Sequence, residues 1–380
     1  MDSIESLIAH LKRKRPMELR ELKKSGKKIV GYPPGNWVPE ELIYAAGAVP
    51  ICLLRGGDPE AVAISGAYIP RFVDTFCRSQ IGYRMLGEDP YYQLLDLLIC
   101  PCTDRNQGAI ADCFSFYTDL DVLIFGVPHN KEQVALDFYA DGLRMVIDKL
   151  EKLTGNKITD DKLKEAIQLY NRIRATLRDI SLTRKSPASP VTGKDFVRLN
   201  HSSYLLDPVF YMAKLEDVTN EISQTVATEK APRILVTAST LASGDHKVLD
   251  LIEKTGAAIV IEEIPEGVRN YWHDVDLDGD PVVQLAETYL RKKTPPAYFR
   301  PSVERLDFIL KLAEEFKVDG ILWYQLMYRE SYDIQSFYFG KIVKDKLGIP
   351  FLKLQSDYDV SETGAFRTRI ETFVEMATSR

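Results

Sequence analysis

The sequence predicts an α/β protein in which two parallel-sheet lobes of similar topology are joined by a helical segment. Three observations carry this. Short apolar, β-branched runs alternate with helical patterns from residue 27 to 128, and the same alternation returns from 233 to 355. Residues 131–230 between them show helical periodicity and no strand-like run. The chain has 380 residues, enough for two or three domains.

Taken in order, the opening residues "MDSIESLIAHLKRKRPMELRELKKSGKK" are amphipathic and charged, with no uninterrupted apolar core of the kind a secretory signal needs. Strands are expected at "KKIVGY" (27–32), "VPICLL" (49–54), "LDLLICP" (95–101) and "DVLIFGVP" (121–128), with helices at 38–48 and roughly 68–86 between them. "NKEQVALDFYADGLRMVIDKLEKLTG" reads as a long amphipathic helix stopped by Gly155. "TDDKLKEAIQLYNRIRATLRDISLTRK" reads as another, capped by Thr159 or Asp160. A loop is expected at 186–193 and further helix over 203–229.

Strands resume at "RILVTAS" (233–239), "AAIVIEE" (257–263), "VDGILWYQ" (318–325) and "IPFLKLQ" (349–355). Helices near 245–255, 281–292, 302–316, 332–346 and 362–377 separate or follow them. The division expected is 1–130 as a first α/β domain, 131–230 as a helical connector and 231–380 as a second α/β domain, both sheets of Rossmann or flavodoxin type. "LDLLICPCTDR" (95–105) and "VDGILWYQLMYRE" (318–330) echo each other as strands that end in a polar switch. Ligands of open parallel sheets sit past the carboxyl ends of the strands. Cys100, Cys102 and Arg329 occupy such ends, so facing lobes would bring them into one cleft.

Composition excludes several classes. The chain is 45% hydrophobic and 27% charged, ordinary for a soluble globular protein. A net charge of −6 argues against a general nucleic-acid binder. No stretch approaches the roughly 18 apolar residues of a membrane span, so a cytoplasmic protein is expected. There is no GxxxxGK[ST] phosphate loop, no GxGxxG after a strand, no HExxH and no GxSxG, and the five histidines are dispersed.

The cysteines carry the chemical signal. Three of five fall within "CPCTDRNQGAIADC" (Cys100, Cys102, Cys113), and Cys77 lies upstream in "FCRSQIG". In a reducing compartment, clustered thiols bind metal or do chemistry more often than they form disulfides. Cys52, inside an apolar run, reads as a small buried hydrophobe, and Cys100 has the same ordinary reading. Cys102 and Cys77 each stand near a probable helix start, where backbone N–H groups and the helix dipole favour a thiolate. The spacings match no compact ferredoxin string, so an iron–sulfur cluster, a zinc site and buried thiols all stay open on spacing alone.

Longer stretches settle more. "GKKIVGYPPGNWVPEELIYAAGAVPICLLRGGD", "FCRSQIG", "CPCTDR", "LTGNKITDDKLKEAIQLYNRIR", "KVDGILWYQ" and "IPFLKLQSDYDVSETGAFRTRIETFVEM" resemble, in order, the motifs of the 2-hydroxyacyl-CoA dehydratase and benzoyl-CoA reductase family, and of its D-component-like subunits in particular. The similarity spans essentially the whole chain. It implies an acyl-CoA substrate, a [4Fe-4S] cluster held by three cysteines, or a larger iron–sulfur cluster, and a related sister subunit or a homodimer. It also implies a separate ATP-dependent iron–sulfur activator that delivers a low-potential electron. In the dehydratases that electron makes a ketyl radical from the thioester carbonyl, which expels the α-hydroxyl. In the reductase branch, benzoyl-CoA-type or double-cubane-type, related electrons go elsewhere.

Carried across by position, Cys77 and Cys102 match the first two cluster ligands. The third falls on "YRE", at Arg329 instead of a cysteine. Guanidinium has no lone pair to offer a metal. Three explanations stand open: Cys113 or Cys100 supplies the third thiolate; the cluster is lost and the chain is a cluster-free companion that completes the site of a paralogue; or the pocket binds an anion through Arg329. Substrate contacts are expected from Gly35, Asn36 and Trp37 in "PPGNW", and from Arg329. Glu40 and Glu41 read as helix-start charges, and Asp104 and Arg105 as groups orienting Cys102. Asp357 and Asp359 receive no role.

Overall fold

Eight apolar runs become eight strands, each within two residues of the expected ends. The structure is a computed structural model, and it describes residues 1–187, 189–224 and 231–379. The first sheet holds β1 (Ile29–Tyr32), β2 (Val49–Cys52), β3 (Leu97–Cys102) and β4 (Asp121–Gly126) in the order β2-β1-β3-β4. The second holds β5 (Arg233–Ala238), β6 (Ala258–Glu263), β7 (Gly320–Leu326) and β8 (Phe351–Ser356) in the equivalent order β6-β5-β7-β8. Every pairing is parallel. Two lobes with one topology are thus the architecture, as the repeated alternation predicts.

Parallel strands are buried on both faces, which is why these runs are continuously apolar rather than alternating. Successive residues of β3 serve different cores: Leu98 and Cys100 join one apolar cluster, while Leu97 and Ile99 join another. The second sheet divides in the same way, with Leu322 and Tyr324 on one side and Ile321 and Trp323 on the other. The cluster that takes Leu98 also takes Val236 and Leu322, so one continuous core runs under both sheets.

The connecting residues form the expected helices Gln133–Thr154, ended by Gly155 at φ 73°, and Asp160–Thr183, whose cap is Thr159, accepting from Lys162 N. Helix Gly193–Ser203 was not anticipated; its cap Thr192 closes the predicted loop. The helix expected over 203–229 is observed as Pro208–Gln224, and residues 225–229 lie outside the described residues. The helix expected over 68–86 begins later, as Thr75–Leu86, after a separate helix Pro59–Ser65. Residues 281–292 start as α-helix Pro281–Ala286 and widen into a π-helix, Glu287–Lys292, which apolar spacing alone does not reveal. Among the described residues no helix is long and apolar enough to cross a membrane.

The lobes meet at the carboxyl ends of their sheets. Beyond β2 and β5 the chain segments lace together: Gly56 N donates to Ser243 O (3.0 Å) and Ser243 N to Leu54 O (2.9 Å). Beyond β8, Asp357 accepts from Thr75 Oγ1 (2.5 Å) and pairs with Arg78 at the start of the Thr75–Leu86 helix. Strand ends of both lobes therefore bound one cleft.

Candidate functional site

Two helix starts form the first-lobe wall of this cleft. Asp74 caps helix Thr75–Leu86, its Oδ1 accepting from Cys77 N (2.9 Å). Asp104 caps helix Arg105–Tyr117, directly after β3, accepting from the amides of Asn106 (2.9 Å) and Gln107 (3.1 Å). Asp74 N in turn donates to Asn106 Oδ1 (2.8 Å), which ties the two helix starts together. Cys77 is buried at the first and Cys102 is exposed just before the second.

Arg329 reaches into this wall from the other lobe. It follows β7 and stands at the N-cap of helix Glu330–Leu347, delivered by Tyr328, a non-glycine residue held at φ 64°. Its Nη1 lies 2.9 Å from Asp104 Oδ2 and its Nε 3.5 Å from Asp74 Oδ2. Burial works against the guanidinium charge, but Asp104 and then Asp74 overcome it and hold the proton more firmly than usual. Burial pushes Asp74 above the usual carboxylate range while Arg329 opposes that, which marks Asp104 as the stronger partner. Asn106 Nδ2 also donates to Tyr328 O (3.4 Å), so the contact between lobes is more than one ion pair.

The four thiols nearest the cleft differ in exposure: Cys102 is exposed, while Cys77, Cys100 and Cys113 are buried. Burial, and then the charge of Asp74, push Cys77 well above the ordinary thiol range. Cys100 faces the core, its Sγ donating to Gln107 O (3.4 Å), and burial pushes its pKa up as well. Cys113 lies in the third turn of its helix, roughly 12 Å along the axis from Arg105, within the apolar cluster of Ile110 and Phe114. Cys113 and Cys100 are thus both buried. Both pack in the apolar core, and Arg329, where the resemblance leads one to expect a third cysteine, holds a guanidinium against two carboxylates. Among the described residues no group of three or more His, Cys, Asp or Glu is arranged to hold a metal ion. The residues present do not fit a cluster held by three cysteines.

The "PPGNW" loop after β1 forms the opposite wall. Gly35 has φ 121° and its carbonyl accepts from Arg269 Nε (3.2 Å). Trp37 stacks on Phe299 (5.3 Å between rings), with the Arg269 guanidinium 4.4 Å from the indole. Asn36 turns away from the cleft. Its Nδ2 donates to Tyr204 OH and Pro265 O (2.8 Å each), and its Oδ1 accepts from Lys293 (3.2 Å). That amide is engaged within the protein, whereas Gly35, Trp37 and Arg329 line the cleft. The cavity that remains, also lined by Gln107, Glu266 and Arg269, holds about 20 Å³, room for about one water molecule.

Sequence reasoning missed Asp74, Gln107, Glu266 and Arg269. Asp74 carries a legible signal, a capping residue three positions before Cys77. Glu266 follows β6 in "IPEG", the same strand-end position in the fold as the residues already singled out. Burial pushes its carboxyl up to about 8, and its Oε1, like Oε1 of Gln107, has no hydrogen-bond partner. Glu40 and Glu41 stand in the first turn of helix Glu40–Ala45, as expected, and both are buried there. Glu41 bonds Arg174 (2.8 Å) and Tyr289 OH (2.9 Å) in the core, and burial beside Glu41 pushes Glu40 up to about 8.

Comparison with known proteins gives the same grouping of motifs. The family model for the 2-hydroxyglutaryl-CoA dehydratase D-component matches residues 36–377. The (R)-phenyllactyl-CoA dehydratase beta subunit of Clostridium sporogenes is 24% identical over 360 residues, 94% of each chain. The beta subunit of the (R)-2-hydroxyglutaryl-CoA dehydratase of Acidaminococcus fermentans is 23% identical over 367 residues, again 94% of each. A benzoyl-CoA reductase subunit of Thauera aromatica is 24% identical over 304 residues, 78% of this chain and 77% of that one.

Proposed function

The chain belongs to the 2-hydroxyglutaryl-CoA dehydratase D-component family, and from that premise we propose that it is one subunit of a cytoplasmic enzyme that removes water from a 2-hydroxyacyl-CoA thioester. It works with a related sister subunit and a separate ATP-dependent activator. The observation that carries this is the cleft between the carboxyl ends of two parallel sheets, lined by Gly35, Trp37 and Arg329, within a chain matched to the family from 36 to 377. That two of the relatives named above are beta subunits of dehydratases supports the need for a sister subunit.

The chain's own residues would bind and enclose. Trp37, held between Phe299 and Arg269, offers a flat apolar wall, and the Gly35 backbone permits close approach. A pocket for a ligand of ordinary size holds some 300 Å³ or more, against about 20 Å³ here. Substrate entry therefore needs the "PPGNW" loop or the lobes to part, and closure afterwards would exclude water. A second reading, membership of a benzoyl-CoA-type reductase complex, is favoured by the match to the benzoyl-CoA reductase chain of Thauera aromatica.

The test is anaerobic co-expression with the sister subunit and the activator, followed by assay with 2-hydroxyacyl-CoA and with aromatic acyl-CoA thioesters. Formation of the 2-enoyl product supports the first reading and reduction of the aromatic ring the second. If the intact complex turns over neither class, both readings fail.

A further inference from the structure

We infer that this subunit works without an iron–sulfur cluster of its own, that an Asp74–Arg329–Asp104 clamp has taken the place of the metal as the tie between the lobes, and that the redox centre of the complex resides in the sister subunit. The inference rests on the family reading above, but its test does not depend on any assay of the reaction.

Three independent features support it. The first is chemical. Cluster irons are cations bound by deprotonated sulfur, whereas position 329 brings a permanent cation with no lone pair. That cation already has two carboxylate partners, at 2.9 and 3.5 Å, one on each of the helix starts that carry Cys77 and Cys102.

The second is the arrangement of the remaining sulfurs. Cys77 is buried, its backbone N–H held by the Asp74 cap. Cys102 is exposed, and Cys100 and Cys113 are committed to the core. Two ligands of unequal exposure and no third are a poor cage for four irons.

The third is that the clamp is built in. Tyr328 holds a left-handed backbone at φ 64°, a conformation a non-glycine residue keeps only where its surroundings enforce it. Here they do: Tyr328 O accepts from Asn106, the Arg78 guanidinium lies 5.8 Å from the Tyr328 ring, and Arg78 is itself paired with Asp357. Contacts from both lobes thus place Arg329 against Asp74 and Asp104, joining elements that a shared cluster would otherwise join.

The experiment is anaerobic reconstitution of the full chain with ferrous iron and sulfide, followed by desalting and measurement of iron, acid-labile sulfide and visible absorption. The same treatment is applied to the Cys77→Ala/Cys102→Ala double variant and to Arg329→Cys. We expect wild type to stay colourless and to match the double variant, and Arg329→Cys to turn brown with about four irons per chain. Wild type carrying about four irons per chain above the double variant would overturn the inference. So would an Arg329→Cys chain that folds, by far-ultraviolet circular dichroism, yet takes up no iron, because Arg329 would then not be the excluding group. If Arg329→Cys does not fold, the comparison of wild type with the double variant decides alone. In the co-purified complex, iron should be lost when the sister subunit's cysteines are replaced and unchanged when Cys77 and Cys102 are. A complex that keeps this iron pattern but turns over no acyl-CoA would sink the proposed reaction and leave the present inference standing.

Discussion

Replacing Gly244 with alanine probes the backbone seam that sets the two lobes against each other. Gly244 has φ 114°, and a Cβ there would lie 2.4 Å from Gly56 O, inside the 3.0 Å that real Cβ atoms essentially never breach. The obstacle is a backbone carbonyl, so it cannot swing aside as a side chain would. Either the seam opens by at least about 0.6 Å, or Gly244 leaves its conformation. Both routes weaken the hydrogen bonds Gly56 N–Ser243 O and Ser243 N–Leu54 O. Backbone strain contributes about 1–3 kcal/mol, and two stretched hydrogen bonds about 1 kcal/mol each, so Gly244→Ala should cost about 3–5 kcal/mol. Gly155→Ala is the matched control. Its φ is 73° and a Cβ there would meet nothing within 4 Å, leaving only the left-handed penalty of about 1–2 kcal/mol. Urea unfolding followed by tryptophan fluorescence gives both values. A Gly244→Ala midpoint no lower than that of Gly155→Ala would refute the seam as the element that joins the lobes.

Other outcomes follow from the same contacts. Arg174→Met should destabilise by about 3–5 kcal/mol, because it strands the Glu41 carboxylate in the core; Glu41→Leu added to it should restore most of the loss, and urea midpoints of the single and double variants check this. Under native anaerobic conditions one thiol of five should react rapidly with a thiol reagent, since only Cys102 is exposed, and Cys102→Ala should abolish that fast phase. Stability should fall on both sides of neutral pH. Glu40 and Glu266 are raised from the ordinary carboxylate range to about 8, so the folded state binds the extra protons; their contribution is complete below about pH 4.5 and lost as pH rises through 8. Burial lowers His201 to about 3 and His246 to about 4, so their contribution is complete above about pH 6.5 and lost as pH falls through those values. Thermal melting of wild type against Glu40→Gln and His201→Gln across pH 4–9 reads the two limbs separately, and a flat profile would contradict the burial of these groups.

All eight strands were legible because each is a short run of β-branched and apolar residues whose signal lies within its own length. Helix ends were legible where a local marker stands, as at Thr159 and Gly155. They were not where the marker is tertiary: the start of Thr75–Leu86 depends on Asp74 being turned toward Cys77 N, and the widening at Glu287–Lys292 leaves no trace in apolar spacing. The thiol cluster was visible too, and so was the substitution at Arg329. What those thiols do was not. Cys113 is near Cys102 in sequence, and eight residues of helix beyond Arg105 carry it into the core.

Family membership and the two-lobed parallel architecture were determined by the sequence itself, since periodicity and motif order depend on residues close together along the chain. The chemistry of the cleft was decided only by tertiary structure. Arg329 meets Asp104 across 225 residues, and Asn36 meets Tyr204 across 168. Which groups surround each thiol, and how deeply it is buried, is set by contacts between strand ends that are remote along the chain.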